Sequence, residues 1–223
     1  VAGTRSIALL PNGIDTTFWR AARATTVRRT SDTFELVTVM RLNSKKRPLA
    51  LIGIVAGALE LLERSRGLRL RVIGDGPQRE TLERAIEHAK LGGVIEVLGQ
   101  RSRDEIRTIL ANSDAFVLPA VRESFGLAAL EARCVGLPVI AVAQSGVAEL
   151  IEHGQEGLLG RDDAELAAHV ARLALDRFFH RTILANNRAT TTPHDWSRVV
   201  TAHETVYREA IALRDNVRAE IYA

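Results

Sequence analysis

The sequence predicts an α/β domain with a parallel sheet buried between helices, on three observations. Short β-branched, apolar runs alternate with amphipathic stretches of helical length along residues 34 to 142. Those stretches are long enough to serve as crossovers between parallel strands. Ala, Leu, Val, Ile, Arg and Glu dominate, while aromatic residues make up only 4% of the chain, which suits helices packed on a buried sheet better than an antiparallel sandwich. With 223 residues and 46% hydrophobic content, there is material for one sizeable core plus appendages.

The elements follow in order. Ser6 to Leu10 reads as a strand, closed by a Pro11-Asn12-Gly13 turn and followed by a polar linker to about Asp32. Phe34 to Met40 is a buried strand, and Pro48 to Glu63 a helix with Leu49, Ile52, Ala56, Leu59 and Leu62 on one face. Leu68 to Ile73 is the next strand, Gly74 to Pro77 a turn, and Gln78 to Lys90 a helix. Val94 to Leu98, Arg103 to Ala111, Ala115 to Leu118, about Phe125 to Val135, and Pro138 to Val142 continue the alternation. Past Gly160 the pattern is entirely helical. Asp162 or Asp163 is the N-cap of Ala164 to Asp176; Arg177 to Arg188 follows, then a long helix from about Trp196. Right-handed crossovers then imply a doubly wound, Rossmann-like sheet. The expected organisation is an interdomain strand and linker over 1–32, the α/β domain over 33–195 and a C-terminal helix over 196–223.

A formal charge of +3, with acids and bases interleaved along the helices, does not point to a general nucleic-acid binder. The single cysteine, Cys134, excludes an intrachain disulfide, and its apolar setting with no evident His or Asn partner reads as a small buried hydrophobe. No apolar run reaches membrane-spanning length, and no signal peptide opens the chain, so a reducing, cytosolic context is expected. The opening at Val1 reads as the middle of a longer protein.

Ligands of open parallel sheets bind beyond the carboxyl ends of the strands, so the loops there carry the chemistry. The loop Arg41 to Arg47 holds two of the chain's three lysines, Lys45 and Lys46. Its cations directly follow a strand and could hold a diphosphate, although a solvated basic loop would have the same composition. The loop Pro119 to Glu131 runs from a strand end into a helix. Residues Ser124 to Ala128 would form the first turn, whose free N–H groups favour an anion, with Gly126 allowing close approach. Glu131, one turn inward, could accept hydrogen bonds from ribose hydroxyls; as an alternative it is a surface residue and Glu123 a cap. Gly74-Asp75-Gly76-Pro77 reads as a structural turn, and the six histidines show no metal-ligand spacing.

Several stretches together resemble the retaining glycosyltransferases of family four, whose GT-B fold sets two Rossmann-like domains face to face. They are Pro11-Asn12-Gly13-Ile14-Asp15 with Phe18, Arg41 followed by Lys46, Gly74 to Pro77, Leu98-Gly99-Gln100, Glu123-Ser124-Phe125-Gly126 through Glu131, Gly136 to Ile140, and Gly146 with Glu149. The resemblance covers roughly Ile7 to Tyr207. It implies that this chain is the carboxyl-terminal half, which binds a UDP-sugar or GDP-sugar donor. By that likeness Arg41 and Lys46 bind the diphosphate and stabilise the leaving group, and Glu123 contacts the transferred sugar. Gly126, Leu127 and Ala128 would hold phosphate, Glu131 the ribose, and Gln100 and Arg101 the base edge. No metal or other cofactor is implied.

Ser145-Gly146 departs from the family's usual glycine pair, which bears on donor-sugar contacts. The acceptor domain has no counterpart in this chain, so the half alone is expected to be inactive. Lipid-linked acceptors are common in the family, which makes peripheral membrane contact of the full-length enzyme one of its implications. Two other readings share these features: a non-catalytic nucleotide-sugar module, and an anion or nucleic-acid binder using Arg41, Lys45, Lys46 and Arg47.

Overall fold

The computed structural model describes residues 8, 10–22, 32–63 and 65–222. Most of the strand expected at Ser6 to Leu10, and the linker from 23 to 31, lie outside the described residues. The chain forms two compact units, one of residues 1–16 with 192–223 and one of residues 17–191.

The larger unit holds six parallel strands: β1 (Thr33–Val39), β2 (Gly67–Ile73), β3 (Ile95–Gly99), β4 (Ala115–Leu118), β5 (Val139–Val142) and β6 (Gly157–Gly160), in spatial order 3-2-1-4-5-6. All five strand pairings are parallel. The order reverses between β1 and β4, so right-handed crossovers put helices on both faces and open a crevice at the carboxyl ends of those two strands. Every residue of β4 and β5 is buried, the continuous apolar signature of a strand covered on both faces.

The helices are α1 (Thr16–Ala21), α2 (Ala50–Leu62), α3 (Arg79–His88), α4 (Arg103–Ala111), α5 (Leu127–Val135), α6 (Asp163–Leu175), α7 (Arg177–Ala189) and α8 (Trp196–Tyr222). Leu51, Ile54, Val55, Ala58 and Leu62 form the buried face of α2, which packs against α6. Burying side chains of this size contributes about 1.5 to 3 kcal/mol each. Ser102 and Glu105 close a capping box at the start of α4. Asp162, one of the two caps expected, accepts from the Glu165 N–H at 2.9 Å and starts α6.

Four features differ from the sequence reading. Of the face expected for α2, Leu49, Ile52, Ala56, Leu59 and Leu62, only Leu62 is buried and Leu49 is 37% exposed, because the helix turns the Leu51, Ile54, Val55 and Ala58 stripe to the core instead. The stretch read as linker contains α1, whose Trp19 is buried. Gly157–Gly160 adds a sixth strand, although Gly-Leu-Leu-Gly carries no β-branched residue to signal it. Helix α5 begins at Leu127 rather than Ser124, because Gly126 takes a left-handed conformation (φ 89°) that breaks the helix before it.

In the smaller unit, the backbone of Ile14 accepts from the Trp196 N–H at 3.1 Å and donates to the His194 carbonyl at 2.8 Å. The Thr16 hydroxyl donates to the Asp195 carboxylate, and this bond with those from Ser197 holds the carboxyl down at about 2. The long helix α8 completes that unit.

Candidate functional site

The loops at the carboxyl ends of the strands gather the expected residues into three neighbouring groups. The first lines a cleft of about 670 Å³ beyond β1, β2 and β3, where Arg41, Gln100 and Arg101 meet the Gly74–Gly76 turn. That turn braces the loop that carries Arg41: the Leu42 N–H donates to the Asp75 carbonyl, the Gln78 N–H to the Leu42 carbonyl and the Gly74 N–H to the Gly99 carbonyl, each at 2.9 Å. The reading of Gly74 to Pro77 as a structural turn agrees with these bonds. The one carboxylate on the cleft wall, Asp75, is paired with Arg79 at 3.2 Å. Arg41 is exposed and has no ion-pair partner among the described residues, so its charge faces the cleft uncompensated.

The second group sits at the crevice between β1 and β4. A one-turn 3-10 helix, Ser44–Lys46, is capped by the Asn43 side chain, which accepts from the Lys46 N–H at 3.1 Å. The turn closes on Arg47 in the left-handed region (φ 56°), a position usually taken by glycine, since a side chain there costs roughly 1 kcal/mol. The Lys46 ammonium pairs with the Glu123 carboxylate in the loop after β4. Both side chains are mostly shielded from solvent.

Glu123 itself is held through its backbone. The Gly146 N–H donates to the Glu123 carbonyl at 2.7 Å. A Cβ at Gly146 would lie 2.3 Å from the Ser124 carbonyl oxygen, so only glycine permits this approach. The departure at Ser145 leaves that contact in place: its hydroxyl donates to the Val142 carbonyl at 2.7 Å and the residue is buried.

The third group is the start of α5 with Glu131. The corrected boundary leaves Ser124 and Phe125 in the loop, while Leu127 and Ala128 keep the free N–H groups of a first turn and Gly126 precedes them as cap. Glu131 is not a solvated surface residue. Burial pushes its carboxyl up to about 7, and the Arg103 charge pulls the other way. Neither Glu131 nor the α5 start is among the residues lining the cleft beyond β1 to β3.

One residue of this region, Arg103, has no role in the sequence analysis, and another, Arg47, takes a different one from the anion-binding role weighed there. The Arg103 guanidinium, at the start of α4, lies 4.2 Å from the Phe18 ring centroid and 5.4 Å from the Trp19 ring of α1, and its charge reaches Glu131. Only the position of Phe18 within one of the family-like stretches hinted at this. The Arg47 fork grips Asp163 at 2.8 and 3.1 Å and donates to the Pro119 carbonyl at 2.9 Å. No group of three or more His, Cys, Asp or Glu side chains that could hold a metal occurs among the described residues, and none of the helices searched is long and apolar enough to cross a membrane.

A doubly wound parallel sheet whose switch-point loops bring together cations, an ion-paired carboxylate and a helix start defines an α/β domain of the Rossmann-like type. Residues 25–190 match the family of glycosyl transferases group 1, and the chain belongs to that family. Over 213 residues it is 33% identical to glycogen synthase of Mycobacterium tuberculosis, covering 93% of this chain and 50% of that protein. It is 29% identical to D-inositol 3-phosphate glycosyltransferase of Actinosynnema mirum, covering 100% of this chain and 55% of that one. Among solved structures, sucrose-phosphate synthase from Thermosynechococcus elongatus superposes with a TM-score of 0.76 at 24% identity, over 92% of this chain and 53% of that chain. Anabaena Alr3699/HepE, solved in complex with UDP and glucose, gives 0.72 at 22%, over 91% and 56%. The fold is thus the Rossmann-like half of a GT-B glycosyltransferase, and the chain spans about half the length of these relatives.

Proposed function

We propose that this chain is the donor-binding half of a glycosyltransferase that moves a sugar from a nucleoside-diphosphate sugar with retention of configuration. The observation that carries this reading is the pairing of Lys46 with Glu123 across the switch point, beside a cleft whose wall presents Arg41, Gln100 and Arg101. The diphosphate takes Arg41 and Lys46 as counter-charges, and the first turn of α5 supplies N–H donors from Leu127 and Ala128 behind Gly126. As the sugar leaves, negative charge grows on the diphosphate, and the fixed cations stabilise it more than they stabilise the ground state. These cations take the place of a divalent metal.

Glu123, released from Lys46 by the arriving phosphates, turns to the transferred sugar. Glu131 accepts from the ribose hydroxyls, and Gln100 with Arg101 meets the base. A fold relative that carries UDP and glucose favours a uridine donor over a guanosine one. The acceptor belongs to a second domain, so transfer requires the longer protein, and this half binds donor without turning it over.

Calorimetric titration of the chain with UDP and with GDP tests the reading. Charge-assisted hydrogen bonds contribute about 1.5 to 3 kcal/mol each, so two of them approach the roughly 4 kcal/mol of millimolar binding. Saturable binding of UDP, weakened by Arg41→Ala, Lys46→Ala and Glu131→Ala, is the expected result. Binding indifferent to Glu131→Ala, with a steep salt dependence, would replace the reading by a general anion site.

A further inference from the structure

Arg47 stands one residue from the proposed phosphate cation, yet its side chain, about a third exposed (35%), reaches to the loop after β4 and the start of α6. Its guanidinium makes a two-point pair with Asp163, the first residue of α6, at 2.8 and 3.1 Å. The same group donates to the carbonyl of Pro119, the first residue after β4, at 2.9 Å. Three separate segments therefore meet on one planar fork: the turn after β1, the loop after β4 and the start of α6.

The backbone reports the same constraint. Arg47 takes the left-handed conformation at the end of the Ser44–Lys46 turn, where a glycine would sit without strain. A strained side chain persists where its surroundings hold it there, and these three hydrogen bonds are what hold it. The consequence falls on Lys46, whose direction is set by the turn that Arg47 closes, and on Glu123, whose loop begins at the carbonyl Arg47 grips.

We propose that Arg47 is a positioning residue: with Asp163 it clasps the turn after β1 to the loop after β4, and so holds Lys46 and Glu123 in register across the switch point. The importance of this for donor binding rests on the function proposed above, whereas the clasp itself does not. Its fork is engaged at three points, by both Asp163 oxygens and the Pro119 carbonyl, whereas Lys46 is held by Glu123 alone, so the structure assigns Arg47 to positioning and Lys46 to the phosphate. An arginine is suited to the task because its fork matches a carboxylate at two points and still has a donor for the carbonyl, which a lysine lacks.

Two measurements on Arg47→Gly, Asp163→Asn and the double variant test this. Glycine suits the backbone at position 47, so folding is retained while the fork is removed. The first is lysine acylation with acetic anhydride, read residue by residue by mass spectrometry. Lys45 and Lys90, the other two lysines, serve as internal references. Lys46 is expected to react several-fold faster relative to them in both single variants; in Asp163→Asn, which is remote in sequence, the change can arise only through the clasp. Unchanged Lys46 reactivity in both would overturn the proposal, whatever the nucleotides do.

The second is UDP titration. Each single substitution is expected to weaken binding about tenfold, the size of one charge-assisted hydrogen bond, and the double no further than either alone. Asp163→Asn binding as tightly as the parent, or more tightly, would make Arg47 a direct phosphate ligand and sink the positioning role. Parent and Lys46→Ala chains that bind UDP alike would defeat the donor-site reading instead, and the acylation result would still decide the clasp.

Discussion

The Lys46 ammonium and the Glu123 carboxylate, 77 residues apart in the chain, meet as a half-buried ion pair where the strand order reverses between β1 and β4. A phosphate that takes Lys46 must draw it from Glu123. Replacing the carboxylate therefore lowers the cost of binding a free nucleotide: Glu123→Gln is expected to bind UDP about threefold to tenfold more tightly, and Lys46→Ala at least tenfold more weakly. Titration calorimetry reads both. Weaker UDP binding by Glu123→Gln would mean that the pair prepares Lys46 rather than competing for it.

The affinity for donor is expected to depend on pH through Glu131. Its carboxyl, pushed up to about 7 by burial, is half protonated near neutrality, and hydroxyl donors favour the charged form. A UDP-sugar, whose phosphates do not titrate in this range, should bind about tenfold more tightly at pH 8 than at pH 6. In Glu131→Gln the dependence should vanish; a slope that survives the substitution would assign it to another group.

Stability should move in the opposite sense. Folding raises this carboxyl from 4.5 to about 7, so between those values the folded chain retains a proton that the unfolded chain has released. Its contribution is fully present below about pH 4.5 and is lost as pH rises through 7, where the buried charge costs on the order of 3 kcal/mol. Glu131→Gln is expected to raise the melting temperature at pH 8 and to leave it nearly unchanged at pH 4.5. Equal melting at both pH values would show that the carboxylate is well solvated. A gain at pH 8 with loss of donor binding would place Glu131 among residues kept for function at the expense of stability.

Gly146→Ala tests how the Glu123 loop is held. The added methyl would sit 2.3 Å from the Ser124 carbonyl oxygen and 2.8 Å from that of Glu123, both backbone atoms with little freedom to yield. A loss of about 2 kcal/mol in urea unfolding is expected, together with weaker donor binding as Glu123 is displaced. Unfolding and binding both equal to the parent would mean that the loop moves freely.

Removing Arg103 strips Glu131 of the cation that partly offsets its burial. Arg103→Ala is expected to shift the midpoint of the pH dependence of donor binding upward, while Arg103→Lys keeps it near the parent value. The midpoint, read by titration across pH 6 to 9, separates this effect from the loss of stacking on Phe18, which would change stability alone.

The chain's local chemistry determined the elements and the kinds of residue at the strand ends. Fully apolar β4 and β5 follow from Ala115 to Leu118 and Val139 to Val142, and Arg41, Lys46, Glu123 and Glu131 stand out as candidates because cations follow one strand and acids flank a helix start, while only the family resemblance gives them roles. Where local signals were weak, the reading shifted. Gly157–Gly160 has no strand propensity of its own and pairs with β5 because that edge is there to receive it. The start of α5 moved to Leu127 because Gly126, read for its small size, also stops the helix.

Only the tertiary structure decided which of these residues meet. Strand order is a property of crossovers, not of any strand's composition, and it alone brings the loop after β1 beside the loop after β4. The Lys46–Glu123 pair, the Arg47 clasp on Asp163 and Pro119, and the burial that raises Glu131 all arise from that adjacency or from packing. A sequence specifies the charges; their distances, and hence their energies, depend on long-range contacts that close only when the sheet does.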